Sequence, residues 1–167
     1  KWSSYEPEKS GVVLVYASMY GNMENTMNVI ANKLAQKGIK DMRMYDVSKT
    51  HPSYIISDIW KYSHVIVGSV TYNMGLYYGM ESLLNELKAL NMQNRKVGIV
   101  GSGTWSCQAA KLMQEIICSM KNMEVVGIPF EITSSMKQNQ EEIVDKFVEE
   151  FCSSITGLKK ENKNIKR

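Results

Sequence analysis

The sequence is poor in the residues that build metal sites and disulfide frameworks. It contains two histidines, His51 and His64, and three cysteines without a Cys-x-x-Cys pair. Neither histidine stands at a zinc-ligand spacing from a cysteine, which argues against a zinc or iron site formed by these residues. An odd number of cysteines and no signal-peptide pattern indicate a reducing compartment, so we expect a cytoplasmic protein.

Long apolar runs and a strong charge of one sign are also lacking. No stretch approaches the ~20 apolar residues that a membrane-spanning helix needs, and no membrane partner is expected. The net charge is +3, but residues 159–167 carry five Lys or Arg and one Glu, so the rest of the chain is close to neutral. A neutral body with a basic end disfavours nucleic acid as a partner. We expect residues 157–167 to form a basic disordered tail.

The 44% of hydrophobic residues instead alternate between strand-like and helix-like patterns. Continuous or alternating apolar runs predict five strands, at residues 12–17, 41–46, 65–68, 97–100 and 125–130. Apolar residues at helical spacing predict a helix after each strand. This pattern predicts an α/β fold, a three-layer sandwich around a five-stranded parallel sheet. The second and fifth runs look like edge strands, which favours the order 2-1-3-4-5.

A sheet of that order binds ligands at the carboxyl ends of its central strands. The loop after strand 1, residues 18–23, is rich in hydroxyl groups and leads directly into a helix, which suits a phosphate. The loop after strand 3, residues 69–79, holds three tyrosines, and the loop after strand 4, residues 101–107, places Trp105 among small residues. Phosphate donors and aromatic rings at one sheet edge predict a site for a mononucleotide with a flat ring.

Three sequence stretches carry a resemblance to a known family. They are Tyr-Ala-Ser-Met-Tyr-Gly-Asn at residues 16–22, Gly-Ser-Val-Thr-Tyr-Asn-Met-Gly-Leu-Tyr at residues 68–77, and Gly-Ser-Gly-Thr-Trp-Ser at residues 101–106. The chain resembles the flavodoxins, and more closely the flavodoxin-like domain of the flavodiiron proteins, also called A-type flavoproteins. The resemblance covers residues 10–156 and implies a flavodoxin-like fold with FMN as cofactor.

The resemblance implies roles for residues of all three loops. Around the phosphate it places Ser18, Met19, Tyr20, Gly21, Asn22 and, through its amide, Met23. Around the ribityl chain and one side of the isoalloxazine it places Ser69, Val70, Thr71, Tyr72, Asn73 and Gly75. Over the other side it places Ser102, Gly103, Thr104, Trp105 and Ser106. No side chain is expected to act as an acid or a base, because the flavin carries the chemistry.

The sequence departs from the family pattern at Met23, where a Thr is usual, at Val70, where a Pro is common, and at Gly103-Thr104, where Tyr-Gly is usual. Neither of the loops that would face the flavin carries an Asp or a Glu. Because acidic groups oppose an anionic reduced flavin, we expect a less negative second potential than in acidic flavodoxins.

The implied function is that of an electron-transfer domain. It would relay electrons from rubredoxin or an NADH-dependent reductase to the diiron centre of an O2- or NO-reducing flavodiiron protein. On this interpretation residues 1–10 are a linker from an upstream metallo-β-lactamase-like domain, residues 11–156 are the FMN domain, and a homodimer is compatible with the assembly. The alternatives are a flavodoxin-like NAD(P)H quinone reductase, a stand-alone flavodoxin and a flavin-free interaction module. A response-regulator receiver is disfavoured, because this chain lacks the acidic residues that such a protein requires.

Overall fold

A computed structural model describes residues 5–18, 21–72, 75–103, 108–132 and 138–165. Its elements follow one another as β1 (Lys9–Ala17), α1 (Asn22–Gln36), β2 (Met42–Asp46), α2 (Pro52–Lys61), β3 (Tyr62–Tyr72), β4 (Gly75–Leu76), α3 (Tyr78–Ala89), β5 (Lys96–Ser102), α4 (Ala109–Cys118), β6 (Glu124–Val125), β7 (Phe130–Ile132) and α5 (Gln138–Ile165). Strand and helix alternate as the sequence pattern predicts.

The sheet has the order β2-β1-β3-β5-β6, and β7 continues along the same edge of β5. All of these pairs are parallel. The predicted order 2-1-3-4-5 is confirmed, with β5 as the fourth predicted strand and β6 and β7 together in the place of the fifth. The sheet therefore reverses its winding between β1 and β3, where the switch point was expected.

The fifth predicted strand is not continuous. It was predicted over residues 125–130, and the chain instead leaves the sheet between β6 and β7. Gly127 in this interval has φ +74°, and Pro129 has no amide proton for a strand ladder. The short antiparallel strand β4 was not predicted at all, and β3 extends to Tyr72, so residues 69–72 belong to a strand rather than to a loop.

Alternation along the strands divides the core between the two faces of the sheet. Val13 and Val15 of β1 point to a cluster with α2, α3 and α4. Val12 and Leu14 point to a second cluster with α1 and α5. Both faces are therefore covered, which explains why the central strands read as continuous apolar runs.

Two contacts and one helix describe the ends of the domain, where the sequence analysis expects a linker over residues 1–10 and a disordered tail over residues 157–167. Residues 5–10 were assigned to a linker, yet the Tyr5 ring lies 5.8 Å from that of Trp60 and the Glu8 amide donates to Lys61 O. At the other end α5 continues to Ile165, so residues 157–165, expected to be a disordered tail, have helical backbone.

The amino-terminal segment is attached by Arg95, whose side chain is only 1% exposed. Its guanidinium donates to carbonyl oxygens of the last turn of α2, Ile59 and Trp60, at 3.1 and 2.8 Å. It also donates to Tyr5 O at 2.7 Å. A cation at a helix carboxyl end is favoured by the helix dipole. Arg95 therefore joins the amino-terminal segment, α2 and β5 at the end of the sheet that lies opposite the expected site.

Candidate functional site

The three loops singled out in the sequence begin side by side at one end of the sheet, where the parallel strands have their carboxyl ends. The register pairs Ala17 with Ser69, and Ser69 with Gly101. The carboxyl ends of β1, β3 and β5 are therefore level with one another. This alignment brings together the segments that follow the three strands, as the predicted order requires.

The start of α1 offers backbone amides to a ligand. Gly21 is its N-cap, in a left-handed conformation with φ 79°, and as a glycine it has no side chain of its own to cap the helix. The Glu24 amide donates weakly to Ser18 Oγ, at 3.4 Å. The first amides of a helix have no intrahelical acceptor, so those of Asn22 and Met23 suit an anion. Met19 and Tyr20, also predicted to bind phosphate, lie outside the described residues.

The side chain of Met23 belongs to the core instead of the ligand site. It is fully buried, and its sulfur would lie 2.8 Å from a Cβ added at Gly68 of β3. Gly68 thus lets α1 approach the sheet closely. Because its side chain is packed in the core, Met23 can offer a phosphate only its amide. It has no hydroxyl group to replace that of the Thr usual at this position.

The charges around the start of α1 are negative. The pKa of Tyr16 is raised to about 12, first by burial and then by the nearby carboxylates of Glu24 and Asp46. The phenol therefore stays protonated. Because carboxylates repel a phosphate, binding here depends on amide and hydroxyl donors.

The carboxyl end of β3 contributes one exposed ring and one structural hydroxyl. Tyr72 is 51% exposed, and Gly75 pairs with it in the short β3–β4 ladder. Thr71 Oγ1 accepts from the amides of Gln108 and Ala109, at 3.2 and 3.1 Å. Thr71 was predicted to contact the ribityl chain, and the structure adds that it caps α4.

Other residues predicted at this end of β3 are enclosed. Ser69 has no exposed surface and donates its hydroxyl to Val70 O at 3.1 Å, and Val70 is itself buried. Asn73 is outside the described residues. Contact of Ser69 and Val70 with a cofactor therefore stays a prediction.

The end of β5 is held by β7. Ser102 is buried, and the Gly103 amide donates to Ile132 O at 3.2 Å. Thr104, Trp105 and Ser106, predicted to cover the flavin, fall outside the described residues. What the structure fixes is the departure point of that loop from the sheet.

Sequence reasoning missed an acidic side chain at this edge. Glu131 of β7 lies beside Gly101, and its Oε1 accepts from the Ala110 amide at 3.1 Å. The signal was a carboxylate immediately after the fifth apolar run, at the same end of the sheet as the three loops. The inference that the flavin-facing loops are free of acids holds for the loops themselves but overlooked this neighbouring strand.

The two helix starts at this edge are not equivalent. At α4, Thr71 and Glu131 together occupy three successive amides, those of Gln108, Ala109 and Ala110. At α1 the described residues supply a side-chain acceptor to one first-turn amide, that of Glu24, which donates weakly to Ser18 Oγ at 3.4 Å. Within the described residues, an incoming phosphate therefore meets the amides of Asn22 and Met23 without a side-chain acceptor at α1, whereas at α4 it meets the carboxylate of Glu131. This asymmetry fits a group such as FMN with its phosphate at α1 and its ring between the β3 and β5 loops.

Comparison with known proteins agrees with this geometry. A family model described as flavodoxin matches residues 14–147. The chain belongs to the flavodoxin family. FMN is the cofactor of that family. Membership of the family therefore confirms the cofactor predicted from the sequence.

Two kinds of curated relative match the same region. A rubredoxin-oxygen oxidoreductase of Megalodesulfovibrio gigas is 32% identical over 122 residues, which are 72% of this chain and 30% of that protein. An anaerobic nitric oxide reductase flavorubredoxin of Pectobacterium carotovorum is 27% identical over 121 residues, 68% of this chain and 23% of that protein. The chain thus spans less than a third of the length of these relatives.

Solved structures show the same fold. Rubredoxin oxygen:oxidoreductase from Desulfovibrio gigas superposes with a TM-score of 0.86 at 24% identity, over 93% of this chain and 38% of that one. The Flv1 flavodiiron core from Synechocystis gives 0.81 at 18% identity, over 93% and 38%. A flavodoxin of Streptococcus pneumonia TIGR4 gives 0.74 at 24% identity, over 86% and 98%. The resemblance to the flavodoxin-like domain of flavodiiron proteins is confirmed.

The described part of the chain contains no group of three or more His, Cys, Asp or Glu side chains placed to hold a metal ion. Within the same residues, no helix combines the length and the apolar character needed to cross a membrane.

Proposed function

We propose that the chain is an FMN-binding electron-transfer domain that relays electrons from rubredoxin or an NADH-dependent reductase to a diiron centre. That centre would belong to a metallo-β-lactamase-like domain of an O2- or NO-reducing flavodiiron protein in the cytoplasm, with a homodimer as the assembly. Support comes from the relatives, whose names include rubredoxin-oxygen oxidoreductase and nitric oxide reductase flavorubredoxin. Because the chain covers about 30% of the first of these, donor, acceptor and assembly are all part of the proposal.

The observation that carries the FMN site is the difference between the helix starts at the ligand edge. At the start of α1 the described residues leave the Asn22 and Met23 amides without a side-chain acceptor, which suits a phosphate, and the exposed ring of Tyr72 stands at the end of the adjacent strand β3. When bound, FMN supplies the electron-carrying chemistry. The chain holds the phosphate through amides at α1 and covers the ring with side chains of the β3 and β5 loops.

A pair of glycine variants tests the phosphate site. Gly21 and Gly38 flank α1, both have positive φ (79° and 92°), and an added Cβ would meet no atom of the described residues within 4 Å at either one. Both alanine variants therefore carry a similar backbone strain of ~1–2 kcal/mol. We expect Gly21→Ala to weaken FMN binding about tenfold and to leave riboflavin binding unchanged, because only FMN has the phosphate. Gly38→Ala serves as the control and should alter neither affinity.

Fluorescence titration of apo-protein measures both affinities. If wild-type protein fails to quench FMN fluorescence, or binds riboflavin as tightly as FMN, the phosphate site is wrong.

The relay is tested by stopped-flow mixing. We expect reduced rubredoxin to reduce the FMN-loaded chain, and NADH alone to reduce it slowly. The reduced chain should consume NO slowly without a diiron partner. Rapid turnover with NADH would favour a quinone reductase, and rapid NO consumption by the chain alone would contradict the relay.

A stand-alone flavodoxin is the second candidate. It is favoured by the coverage of 98% of the Streptococcus pneumonia flavodoxin by this chain. The coding sequence directly upstream separates the two, since a His-x-Glu-x-Asp-His string there indicates the diiron domain and its absence favours the flavodoxin.

A further inference from the structure

Glu131 reaches the ligand edge from a strand outside the three loops. Its strand β7 pairs with the end of β5, so that Glu131 stands level with Gly101. The next residue of β7, Ile132, accepts the Gly103 amide. β7 therefore supports the point at which the β5 loop leaves the sheet, and Glu131 lies beside that point, level with Gly101.

The carboxylate fits there only because residue 101 is a glycine. A Cβ at Gly101 would lie 2.8 Å from the carboxylate carbon of Glu131 and 2.9 Å from the Ala110 amide nitrogen. Both distances are shorter than any normal van der Waals contact. A larger residue at position 101 would separate Glu131 from α4. The close approach of β5, β7 and α4 at this point therefore depends on the glycine at position 101.

The two carboxylate oxygens have different surroundings. Oε1 accepts from the Ala110 amide at 3.1 Å. Oε2 is buried, and no described residue donates a hydrogen bond to it. A carboxylate at a helix start is stabilised by the helix dipole, and a buried oxygen without a donor keeps its charge poorly neutralised. The arrangement thus holds a carboxylate at the start of α4, beside Gly101 near the carboxyl end of β5.

We propose that Glu131 is a positioning residue of the FMN site: its carboxylate fixes the start of α4 and places a negative charge that weakens binding of anionic reduced FMN relative to oxidised FMN. This inference rests on the proposed FMN site. It reverses one expectation from the loop sequences, since the charge that the loops lack is supplied by β7.

The variant Glu131→Gln separates the charge from the hydrogen bond. The Gln amide oxygen still accepts from Ala110, and the negative charge is removed. We expect the ratio of the dissociation constants for oxidised and reduced FMN to shift by roughly three- to tenfold in favour of reduced FMN, an effect of the size that one charge has across a partly screened site. Anaerobic titration of apo-protein with each form of FMN measures it.

Glu124→Gln is the matched control. Glu124 lies on β6, at the end of the sheet opposite the candidate site. There it forms an exposed ion pair with Lys96, the first residue of β5. This variant removes the same charge far from the site, so the ratio should stay at the wild-type value. An equal shift in both variants would mean that overall charge, and not Glu131, sets the ratio.

Glu131→Ala tests the positioning. We expect it to expose the Ala110 amide to hydrogen exchange and to weaken binding of both forms of FMN, while Glu131→Gln keeps the amide protected. A lower stability of Glu131→Gln with an unchanged ratio would reduce Glu131 to a structural cap and overturn the proposal. Failure of wild-type protein to bind FMN would instead overturn the proposed function, and the Ala110 amide would still report on the cap.

Discussion

Phe147 of α5 lies directly on Gly98 of β5. A Cβ at Gly98 would be 2.5 Å from the Phe147 ring and 3.2 Å from the ring of Phe151. The two rings stack at 5.8 Å, so neither can turn away freely. The absence of a side chain at position 98 is therefore what lets α5 seat against the sheet.

We expect Gly98→Ala to destabilise the fold by about 1–3 kcal/mol, because the new methyl group overpacks two aromatic rings. Urea denaturation of the apo-protein measures the free energy of unfolding. Gly157→Ala is the control, since Gly157 lies on α5 and no atom of the described residues lies within 4 Å of its Cβ position. That change should stabilise the protein by about 0.5–1 kcal/mol. Equal effects at both positions would argue against close packing at Gly98.

A buried histidine should make the fold sensitive to acid. His64 has no exposed surface, and its Nε2 lies 2.9 Å from Ser154 Oγ of α5. Burial, and secondarily the charge of Lys96, lower the pKa of His64 from 6.5 to about 4. Between these values the unfolded chain binds more protons than the folded one. The contribution of His64 to the free energy of unfolding is therefore fully present above pH 6.5. It is lost as the pH drops toward 4, by roughly 3 kcal/mol in all.

Urea denaturation at several pH values between 4 and 7.5 checks this. His64→Gln should remove most of the decline in that interval. His51→Asn is the control, because His51 is an exposed N-cap of α2 whose role Asn can take. An unchanged pH profile in His64→Gln would assign the decline to other groups.

Arg95 should be intolerant even of lysine. Its guanidinium donates to five carbonyl oxygens, three of them through one nitrogen, and burial lowers its pKa to about 10, so it remains charged at neutral pH. A lysine has one nitrogen and cannot reach α2 and the amino-terminal segment together. We expect Arg95→Lys to cost about 3 kcal/mol or more, because buried carbonyls lose their donors.

The matched control is Arg43→Lys, at an exposed residue of β2. Its stability should change by less than about 0.5 kcal/mol. Thermal or urea unfolding compares the two variants. Similar stabilities of both would show that Arg95 does not hold the segments together.

Tyr72 should serve binding and not folding. It is 51% exposed at the end of β3, so its removal should leave the apo-protein as stable as the wild type. We expect Tyr72→Ala to weaken FMN binding by about 1–2 kcal/mol through lost ring contact. Tyr54→Ala, at a 67% exposed tyrosine of α2, is the control and should leave affinity unchanged. Loss of stability without loss of affinity would make Tyr72 a packing residue.

Apolar periodicity along the chain was enough to predict the order of the elements, because a strand covered on both faces and a helix with one apolar stripe have distinct periods. Residues 12–17 and 97–100 were recognisable as central strands for this reason. The edge positions followed from the mixed pattern of β2 and from Pro129. Since crossovers are right-handed, these few facts fixed the switch point and with it the loops of the candidate site.

Which groups lie next to those loops depends on contacts that form when the chain folds. The break between β6 and β7, the capping of α4 by Thr71 and the placement of Glu131 beside Gly101 all depend on pairing between residues distant in sequence. Local periodicity carries no record of such pairing, because register and close approach are set when the strands assemble. The acid at position 131 was visible in the sequence, but its proximity to Ala110 exists only once β7 lies beside β5.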